Sequence, residues 1–499
     1  MSLIGIDVGS SSVKITAYDV SWKTLGAFRQ DLTAQHPRPG SWEQDPEEVW
    51  AVVSSGMQNV VALETLRHDP PLAIAISASG RENFPVDSAG RPLGPCVMAA
   101  DLRGAEFEQP PEGAELPEAW TLSCGHSRQR MDPGMRFLWW RENHPRVMAL
   151  AAHFLGWHEF LALRMTGRPI VDPSLAGRWL AYDLEREGWL PERALLFGVD
   201  PAFLPQIQPW GSVIDVLKPE IAEAWGLAPD VCLAVGALDL TCAAIGAGAL
   251  ASGTACLVSG SFENLLIPCE ILPSPRMLMS GLSCTPYPAP SGLSLLALSP
   301  TGTAVLNWAR NLLGVSIDSL DERLKGSGGG PSPVRAVPYL SGAMLHWEEG
   351  RKAKGAMFGL TLATSSIDII KAFMESITCD HVMTLSLLAS MGESVVRLKA
   401  AGGGTRSEWW TQLKADVLGV PIEVVDEAEP GTLGAAMLAG LAIGCYRSLP
   451  DGYEQLSTGS GRLFTPNAGR GALYRVRVEE YREIVASLLE NVHQEDERS

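Results

Sequence analysis

The chain has 499 residues, of which 46% are hydrophobic and 19% are charged, and its formal net charge is −18. A chain of this length exceeds what one hydrophobic core usually holds, so two large domains are expected. The acidic balance argues against a nucleic-acid-binding protein, which needs a clustered basic face to neutralise phosphates. No apolar run has the length of a membrane span and the first residues lack a signal-peptide pattern, so we expect a cytoplasmic protein without membrane partners.

The first twenty residues predict a phosphate-binding hairpin. Two β-prone runs, residues 3–6 and 13–18, flank a Gly/Ser-rich turn that offers small side chains, backbone N–H groups and hydroxyls to an anion. The candidates for phosphate binding are Gly9, Ser10, Ser11 and Lys14. Asp7 can hold the water shell of a phosphate-bound Mg²⁺, because this ion needs only one or two carboxylates. The competing interpretation is an edge hairpin with a tolerant turn.

A second motif, near the middle of the chain, places an acid between a strand and a helix. Residues 235–248 read VGALDLTCAAIGAG, and Asp239 stands where the strand leads into a helix of small residues. A carboxylate at a helix N-terminus is stabilised in its ionised form, which suits a base that accepts a hydroxyl proton. This segment alone leaves two interpretations open, a helix N-cap and a catalytic base.

The second half of the chain repeats the pattern of the first. Residues 255–266 read ACLVSGSFENLL, again a strand, a Gly/Ser turn and a strand, which indicates a duplicated fold. Residues 400–410 read AAGGGTRSEWW, a glycine turn between an apolar strand at 395–398 and a helix. A nucleobase or a phosphate can lie against the bare backbone of such a turn. Strand-like and helix-like segments alternate along both halves, which favours an α/β fold.

The order of these motifs resembles that of the FGGY carbohydrate kinases over nearly the whole chain, and within that family the xylulokinases most. The segments that carry the resemblance are GIDVGSSSVK, WEQDPEEVW, DLR, VGALDLTCAAIGAG, VSGS, GGGTRSEWW, ADVLGVPIEV and GTLGAAMLAG. The resemblance implies two ribonuclease H-like domains of the actin and hexokinase type, with ATP and sugar meeting in the cleft between them. Their expected limits are residues 1–245, with the first phosphate motif, the sugar pocket and the catalytic acid, and residues 246–499, with the second phosphate motif and the adenosine motif.

The resemblance also implies roles for individual residues. Those implied for ATP are Asp7, Gly9, Ser10, Ser11 and Lys14 in the first phosphate motif, Gly260 and Ser261 in the second, Gly403, Gly404 and Ser407 in the adenosine motif, and Gly302 and Asn307 near the nucleotide. Those implied for the sugar are Gly80, Arg81, Asp101, Arg103 and Asp239, of which Asp239 is the catalytic base. Asp7 is the implied metal ligand, and ATP and Mg²⁺ are the implied cofactors.

The implied reaction is in-line transfer of the γ-phosphoryl group of ATP to a primary hydroxyl, with D-xylulose converted to D-xylulose 5-phosphate. Positioning and electrostatics are expected to supply most of the acceleration. A small-molecule sugar is the expected partner, and a homodimer is expected because family members often form one. The small-residue helices at 241–248 and 433–440 would cross and act as the hinge of domain closure.

Two departures from the xylulokinase pattern bear on the substrate. Where those enzymes carry Gln-Met-His-Gly, this chain has ASGREN at 78–83, so Arg81 stands in place of a sugar-contacting histidine. An arginine there can favour a carboxylate or another array of hydroxyls, which makes gluconate a competing substrate. The alternative is that Arg81 is a surface residue after a locally shifted turn. Ala99 replaces a tryptophan two residues before Asp101, which removes a wall of the pocket.

Other functions stay open from the sequence alone. Kinases for ribulose or fuculose would carry the same motifs. A sensor or conformational machine of the same superfamily uses similar hairpins without phosphorylating a small molecule. Asp239 and the Asp101–Arg103 pair favour a kinase, since a sensor of that kind needs no polar sugar pocket facing a base. A degenerate kinase that binds sugar and ATP without turnover remains a further alternative.

Overall fold

The structure is a computed structural model that describes residues 1–108, 118–127, 131–196, 198–343, 350, 352–425, 429–456 and 461–496. These residues form a mixed α/β fold organised around two large β-sheets, as the sequence predicts. Within the described ranges, every helix is too short or too polar to cross a bilayer.

The first half is built on a six-stranded sheet. Its strands are β1 (Ser2–Val8), β2 (Ser12–Asp19), β3 (Thr24–Asp31), β4 (Pro71–Ala78), β5 (Val213–Val216) and β6 (Cys232–Leu238). They lie in the order β5-β6-β4-β1-β2-β3, with β1, β2 and β3 antiparallel and with β4 parallel to both β1 and β6. Strands β1 and β2 each have a neighbour on both sides, so the edge-hairpin interpretation of the first twenty residues is wrong.

The second half repeats this plan. Its strands are β7 (Thr254–Ser259), β8 (Glu263–Cys269), β9 (Ser283–Pro286), β10 (Leu293–Ser299), β11 (Arg397–Ala401), β12 (Ile422–Val424) and β13 (Arg462–Phe464). They lie in the order β9-β10-β8-β7-β11-β12-β13. The run β10-β8-β7-β11-β12 has the same order and directions as β3-β2-β1-β4-β6, which confirms the predicted duplication. The apolar strand predicted at 395–398 begins two residues later, at Arg397.

Helices cover both sheets. The longer ones are α1 (Pro46–Val61), α2 (Pro133–Asn143), α3 (Trp157–Thr166), α4 (Asp239–Ala247), α5 (Thr303–Leu312), α6 (Ser366–Ser390), α7 (Glu408–Leu418), α8 (Pro430–Ala442) and α9 (Ala468–Asp496). Shorter helices and turns of 3₁₀-helix are Glu64–His68, Ala105–Phe107, Glu118–Cys124, Pro145–Met148, Pro173–Ala176, Pro191–Leu196, Pro201–Phe203, Pro219–Trp225, Pro275–Met279, Leu320–Gly326, Gly403–Arg406 and Leu449–Glu454. Short strand pairs outside the main sheets are Glu43–Gln44 with Cys96–Val97, Phe84–Val86 with His153–Leu155, Ile170–Val171 with Gln206–Ile207, Tyr182–Asp183 with Gly188–Trp189, and Arg335–Val337 with Ala356–Phe358.

Helices α4 and α8 cross where the two halves meet. Helix α8 belongs to the second half but packs on β1 and β4, whereas α4 follows β6 and packs against β7. A Cβ atom on Gly434 would lie 1.9 Å from the carbonyl oxygen of Cys242, and one on Gly246 would lie 2.1 Å from that of Pro430. Only glycine permits such an approach. The predicted crossing of these helices is therefore confirmed, while their hinge motion stays a prediction.

The expected domain limits separate the two sheets. Strand β6 ends at Leu238 and β7 begins at Thr254, so each half holds one complete sheet. The junction between residues 245 and 246 itself lies inside helix α4. The division into residues 1–245 and 246–499 stays a prediction.

Candidate functional site

The first hairpin presents its turn at the end of the central strands of the first sheet. The Gly9 N–H group donates a hydrogen bond of 3.1 Å to the carbonyl oxygen of Ser12 and closes the turn. Ser10 and Ser11 at its tip are exposed. Their side chains are thus accessible to a ligand, as the sequence predicts for a phosphate-binding turn.

Asp7 and Lys14 face each other across this hairpin. They are paired in the β1–β2 register, and the Lys14 Nζ atom lies 3.5 Å from Asp7 Oδ2 and 2.6 Å from Glu429 Oε2. Burial lowers the pKa of Lys14, but the carboxylates of Asp7 and Glu429 outweigh it, so the pKa lies above its usual value. The Ser77 hydroxyl donates a 2.6 Å hydrogen bond to Asp7 and fixes that carboxylate. Lys14 is therefore held as a cation beside the predicted metal ligand.

Asp7 also lies beside the N-terminal turn of α8. A Cβ atom on Gly431 would lie 3.3 Å from Asp7 Oδ1, so the two halves of the chain meet at this carboxylate. A single partly exposed carboxylate fits a hydrated Mg²⁺, which takes most of its ligands from water and phosphate oxygens. Among the described residues there is no cluster of three or more His, Cys, Asp or Glu side chains around a common point. The donor set at Asp7 thus suits a metal that arrives with its phosphates.

The second hairpin, between β7 and β8, has Gly260 and Ser261 in its turn. The Gly260 N–H group donates to the carbonyl oxygen of Phe262 at 2.9 Å. Gly302 packs against this turn, because a Cβ atom there would lie 2.7 Å from the Ser261 carbonyl oxygen. Asn307 lies one turn further along α5, on an exposed face. Of the two residues predicted to lie near the nucleotide, Gly302 therefore contacts the hairpin, and Asn307 lies farther along the helix that begins there.

The glycine turn at 402–404 adjoins the same hairpin. Gly402 has a φ of 97°, in the left-handed region, and a Cβ atom on Gly404 would lie 2.0 Å from the hydroxyl oxygen of Ser259. A Cβ atom on Gly403 would meet only the end of the Arg406 side chain, at 3.5 Å, which leaves the backbone of Gly403 accessible. The Ser407 hydroxyl accepts a 3.2 Å bond from the Trp410 N–H group and caps helix α7. The turn and the hairpin together form one glycine-rich surface.

A buried charge network lies behind this surface, and sequence reasoning missed it. Glu263 is fully buried and accepts hydrogen bonds from Ser259 and Lys414, while His381 Nε2 lies 2.7 Å from its second oxygen. Burial alone would raise the pKa of Glu263. Lys414 and His381 together have the larger, opposite effect and lower this pKa to about 2. The Lys414 Nζ atom lies 3.8 Å from the ring centroid of Trp410. Helix α7 is thereby joined to the second hairpin.

Asp239 occupies the first position of helix α4. Leu238 is the N-cap of this helix, so the interpretation of Asp239 as the cap is wrong. The carboxylate accepts a 2.7 Å bond from the Leu240 N–H group and is partly exposed. Burial, followed by the negative charges of Asp7 and Glu82, raises its pKa to about 7. A carboxylate with this pKa can exist in both protonation states near neutral pH.

The segment that departs from the xylulokinase pattern lies beside Asp239. Arg81 is only 9% exposed, so its interpretation as a surface residue is wrong. Gly80 has no room for a side chain, because a Cβ atom would lie 2.8 Å from Leu238 and 3.1 Å from Cγ of Arg178. Arg178 was not predicted from the sequence. A charged residue between apolar neighbours, as in LAGRWLAY, is the signal that could have identified it.

Asp101 and Arg103 form the predicted pair, and protein groups satisfy most of their donors and acceptors. The Asp101 carboxylate accepts bonds from Arg103 Nε at 2.9 Å and from the Trp42 N–H group at 2.7 Å. Arg103 also donates to Glu43 at 2.6 Å. Arg136 is fully buried and donates to the carbonyl oxygen of Asp101 at 2.9 Å. The pair thus fixes the loop that borders the predicted sugar pocket, and direct contact with sugar stays a prediction.

Comparison with known proteins places these residues in a family. A family model described as the N-terminal domain of the FGGY family of carbohydrate kinases matches residues 2–246, and the corresponding C-terminal model matches residues 294–443. The xylulose kinase of Escherichia coli (strain K12) is 27% identical over 492 residues, which cover 97% of this chain and 99% of that protein. The glycerol kinase of Bordetella parapertussis is 27% identical over 514 residues, with coverages of 97% and 96%.

Solved structures with the same fold include kinases named for different sugars. The gluconate kinase from Lactobacillus acidophilus has a TM-score of 0.89 at 24% identity and covers 99% of both chains. The xylulose kinase from Rhodospirillum rubrum has a TM-score of 0.89 at 21% identity, with coverages of 99% and 100%. At these identities the likeness establishes the fold and leaves the sugar open.

Proposed function

This chain belongs to the FGGY family of carbohydrate kinases, and we propose that it transfers the γ-phosphoryl group of ATP to a primary hydroxyl of a small carbohydrate. D-Xylulose, which would yield D-xylulose 5-phosphate, is the first acceptor to test, because the E. coli relative of 27% identity is a xylulose kinase. The observation that carries the proposal is the position of Asp239. Its carboxylate interacts electrostatically both with Asp7 of the proposed phosphate subsite and with Arg178 beside the proposed sugar subsite. This supports a role for Asp239 where the two subsites would meet.

The proposed chemical step is a direct in-line transfer. Asp239 accepts the proton of the attacking hydroxyl while the new bond forms between the hydroxyl oxygen and the γ-phosphorus. The bond from the γ-phosphorus to the β,γ-bridging oxygen breaks, and ADP leaves with that oxygen. A base with a pKa of about 7 suits this role, because general bases work best when their pKa is near the operating pH.

The two hairpins hold the donor in this proposal. Lys14, kept as a cation by Asp7 and Glu429, contacts a phosphoryl oxygen, and the turns at Ser10–Ser11 and Gly260–Ser261 offer N–H and hydroxyl donors to the rest. Asp7 would hold Mg²⁺ through its water shell, and the ion would neutralise negative charge on the phosphates. The glycine turn at 402–404 leaves bare backbone for the adenosine. Positioning and electrostatics then account for most of the acceleration.

The two sides of the site come from different halves of the chain. Glu429 and Gly431 approach Asp7 from the start of α8, whereas Asp239 begins α4, and these helices cross at Gly434 and Gly246. A relative motion of the halves about this crossing would close the site. Closure would exclude water, which competes with the sugar hydroxyl for the phosphoryl group.

The test is an assay of ADP release by the purified protein with ATP and Mg²⁺. The acceptors are D-xylulose, ribulose, glycerol, gluconate and fuculose, and a reaction without acceptor measures hydrolysis. Acceptor-dependent ADP release with a phosphorylated product identified by mass spectrometry supports the kinase. ATP and sugar binding without turnover of any acceptor would favour the sensor or the degenerate kinase.

A further inference from the structure

Two buried arginines lie side by side next to Asp239. Arg178 is 2% exposed and its stem packs where a side chain on Gly80 would be, directly beside Arg81. Burial and the neighbouring charge of Arg81 lower the pKa of Arg178 well below its usual value. Two guanidinium groups are rarely buried together unless anions accompany them.

Three side-chain nitrogens of these arginines lack acceptors among the described residues. Arg81 Nε and Nη1 and Arg178 Nη1 are buried without a hydrogen-bond partner. The nearby carboxylates accept bonds from the backbone instead: Glu82 from the Arg81 N–H group, and Asp132 from the N–H groups of Gly134 and Leu180. A buried charged donor without an acceptor costs considerable free energy. An acceptor is therefore expected from the ligand.

We propose that the acceptor substrate is a sugar acid, an open-chain polyhydroxy carboxylate, whose carboxylate is bound by Arg81 and Arg178 while its primary hydroxyl reaches Asp239. This inference rests on the kinase function proposed above and names its substrate class. The planar fork of a guanidinium matches the two oxygens of a carboxylate, and charge-assisted bonds of this kind are about twice as strong as neutral ones. The hydroxyls of a neutral sugar supply no negative charge to the pair.

The charges around the pair favour a monoanion. Asp132, Glu82 and Asp239 all act electrostatically on one or both arginines. A ligand with two negative charges, such as a sugar phosphate, would bring the second charge close to these carboxylates. A single carboxylate places its charge at the guanidinium groups, and the hydroxyls of the chain remain for the other polar groups of the pocket.

The experiment compares acceptors that differ only at one end. Gluconate is paired with sorbitol and xylonate with xylitol. D-Xylulose is added as the neutral-sugar arm, and sorbitol 1-phosphate, in which a phosphate replaces the carboxylate of gluconate and the far primary hydroxyl stays free, is added as the dianion arm. Both kcat/KM from ADP release and Kd from calorimetry without ATP are measured. We expect each acid to bind and react better than its polyol, on the order of ten- to a hundredfold, which is the effect of one or two charge-assisted bonds.

Three variants connect this preference to the arginines. Arg178→Gln and Arg81→Gln should each remove most of the acid preference and should weaken the calorimetric Kd for the acid by a similar factor. Arg178→Lys keeps the charge without the planar fork, so part of the preference should return. Arg91→Gln is the matched control, since Arg91 is exposed and, in the part of the chain that the structure describes, forms its ion pair with Asp87 on the surface. Circular dichroism and ATP binding establish that each variant is folded.

The outcomes separate this inference from the kinase proposal. Turnover of D-xylulose or of a polyol with no preference for the acid would overturn the sugar-acid inference and leave the kinase intact. Saturable acid binding that Arg178→Gln abolishes, without turnover of any acceptor, would support the inference and count against the kinase. The inference would also be overturned if the wild-type protein neither bound nor phosphorylated either acid. A preference for sorbitol 1-phosphate over gluconate would overturn it in favour of a dianion.

Discussion

Lys414 and Glu263, 151 residues apart in the sequence, form an ion pair that is buried directly behind the second hairpin. The carboxylate belongs to β8, opposite Ser259, and the ammonium belongs to helix α7. The pair therefore connects the hairpin predicted to bind phosphate with the helix that follows the glycine turn. Its removal should affect both folding and nucleotide binding.

Glu263→Gln should lower the free energy of unfolding by about 3–5 kcal/mol, because it leaves the Lys414 charge buried without a counterion. Urea unfolding measured by fluorescence tests this. Glu270→Gln, at an exposed position near the end of the same strand, is the matched control and should change little. Glu263→Leu combined with Lys414→Met should recover much of the loss, since burying neither charge is less costly than burying one. An effect of Glu263→Gln below about 1 kcal/mol would contradict the assignment.

Asp239→Asn should reduce kcat by roughly a hundredfold or more, the usual contribution of a general base. The ATP contacts proposed here lie on the hairpins and the glycine turn, so the Kd for ATP measured by calorimetry should stay within about threefold of the wild-type value. Asp230→Asn is the control, because Asp230 is exposed in the loop before β6. Asp239→Ala should behave like Asp239→Asn. A variant that keeps more than a few per cent of wild-type turnover would remove Asp239 from the mechanism.

The activity should rise with pH to a plateau above about pH 7. The transfer needs the ionised carboxylate of Asp239, and burial with the charges of Asp7 and Glu82 raises its pKa to about 7. Below that pH the protonated form dominates, so log kcat/KM should fall with a slope near one as the pH decreases. The measurement is kcat/KM of the best acceptor between pH 5 and 9 in buffers of constant ionic strength. A plateau that extends unchanged down to pH 5 would show that another group is the base.

Lys14→Met should raise the KM for ATP by roughly ten- to a hundredfold, the value of one charge-assisted bond to a phosphate. It should also leave Glu429 without the partner that lies 2.6 Å away. Lys23→Met provides the comparison, since Lys23 is exposed in the loop between β2 and β3. Steady-state kinetics at saturating acceptor separate KM from kcat. Equal KM values for the two variants would exclude Lys14 from the donor site.

Gly434→Ala should destabilise the protein by about 3 kcal/mol or more, since the new Cβ would lie 1.9 Å from a backbone oxygen of α4. The midpoint of thermal unfolding is the measurement. Gly326→Ala is the matched control, because the added Cβ at that helical position would have no described atom within 4 Å beyond its chain neighbours and its own helix backbone. If both variants unfold at the same temperature, the two helices do not approach each other as closely as described.

Local patterns were sufficient to predict the hairpins and their duplication, because these features are encoded by neighbouring residues such as the Gly/Ser turn between β1 and β2. The crossing of the two small-residue helices was implied by the family resemblance. The arginine pair and the Glu263 network could not be predicted in the same way. Glu263 and His381 are 118 residues apart, and Arg178 meets Gly80 only after the chain has folded. No periodicity or turn signal reports such pairs, because their proximity is a property of the sheet order.

The limits of a strand and the role of a serine illustrate the same point. The strand predicted at 395–398 lies at Arg397–Ala401, because its pairing with β7 selects the register. Ser407 was predicted to contact the adenosine, and its hydroxyl also caps helix α7 and donates to Asp321. Its role toward ATP stays a prediction, as do those of Gly403 and Asn307.

The packing of α8 on the first sheet has a consequence for biosynthesis. Leu433, Ala436 and Met437 of this helix share a buried cluster with residues of the first sheet such as Leu3 and Ala75. The ribosome completes that sheet at Leu238 but delivers α8 only when residues 430–442 emerge, roughly ten to forty seconds later at usual elongation rates. During that interval the nascent first half exposes an apolar face that its own residues cannot cover. Translation therefore produces an intermediate that must be shielded from aggregation until helix α8 arrives.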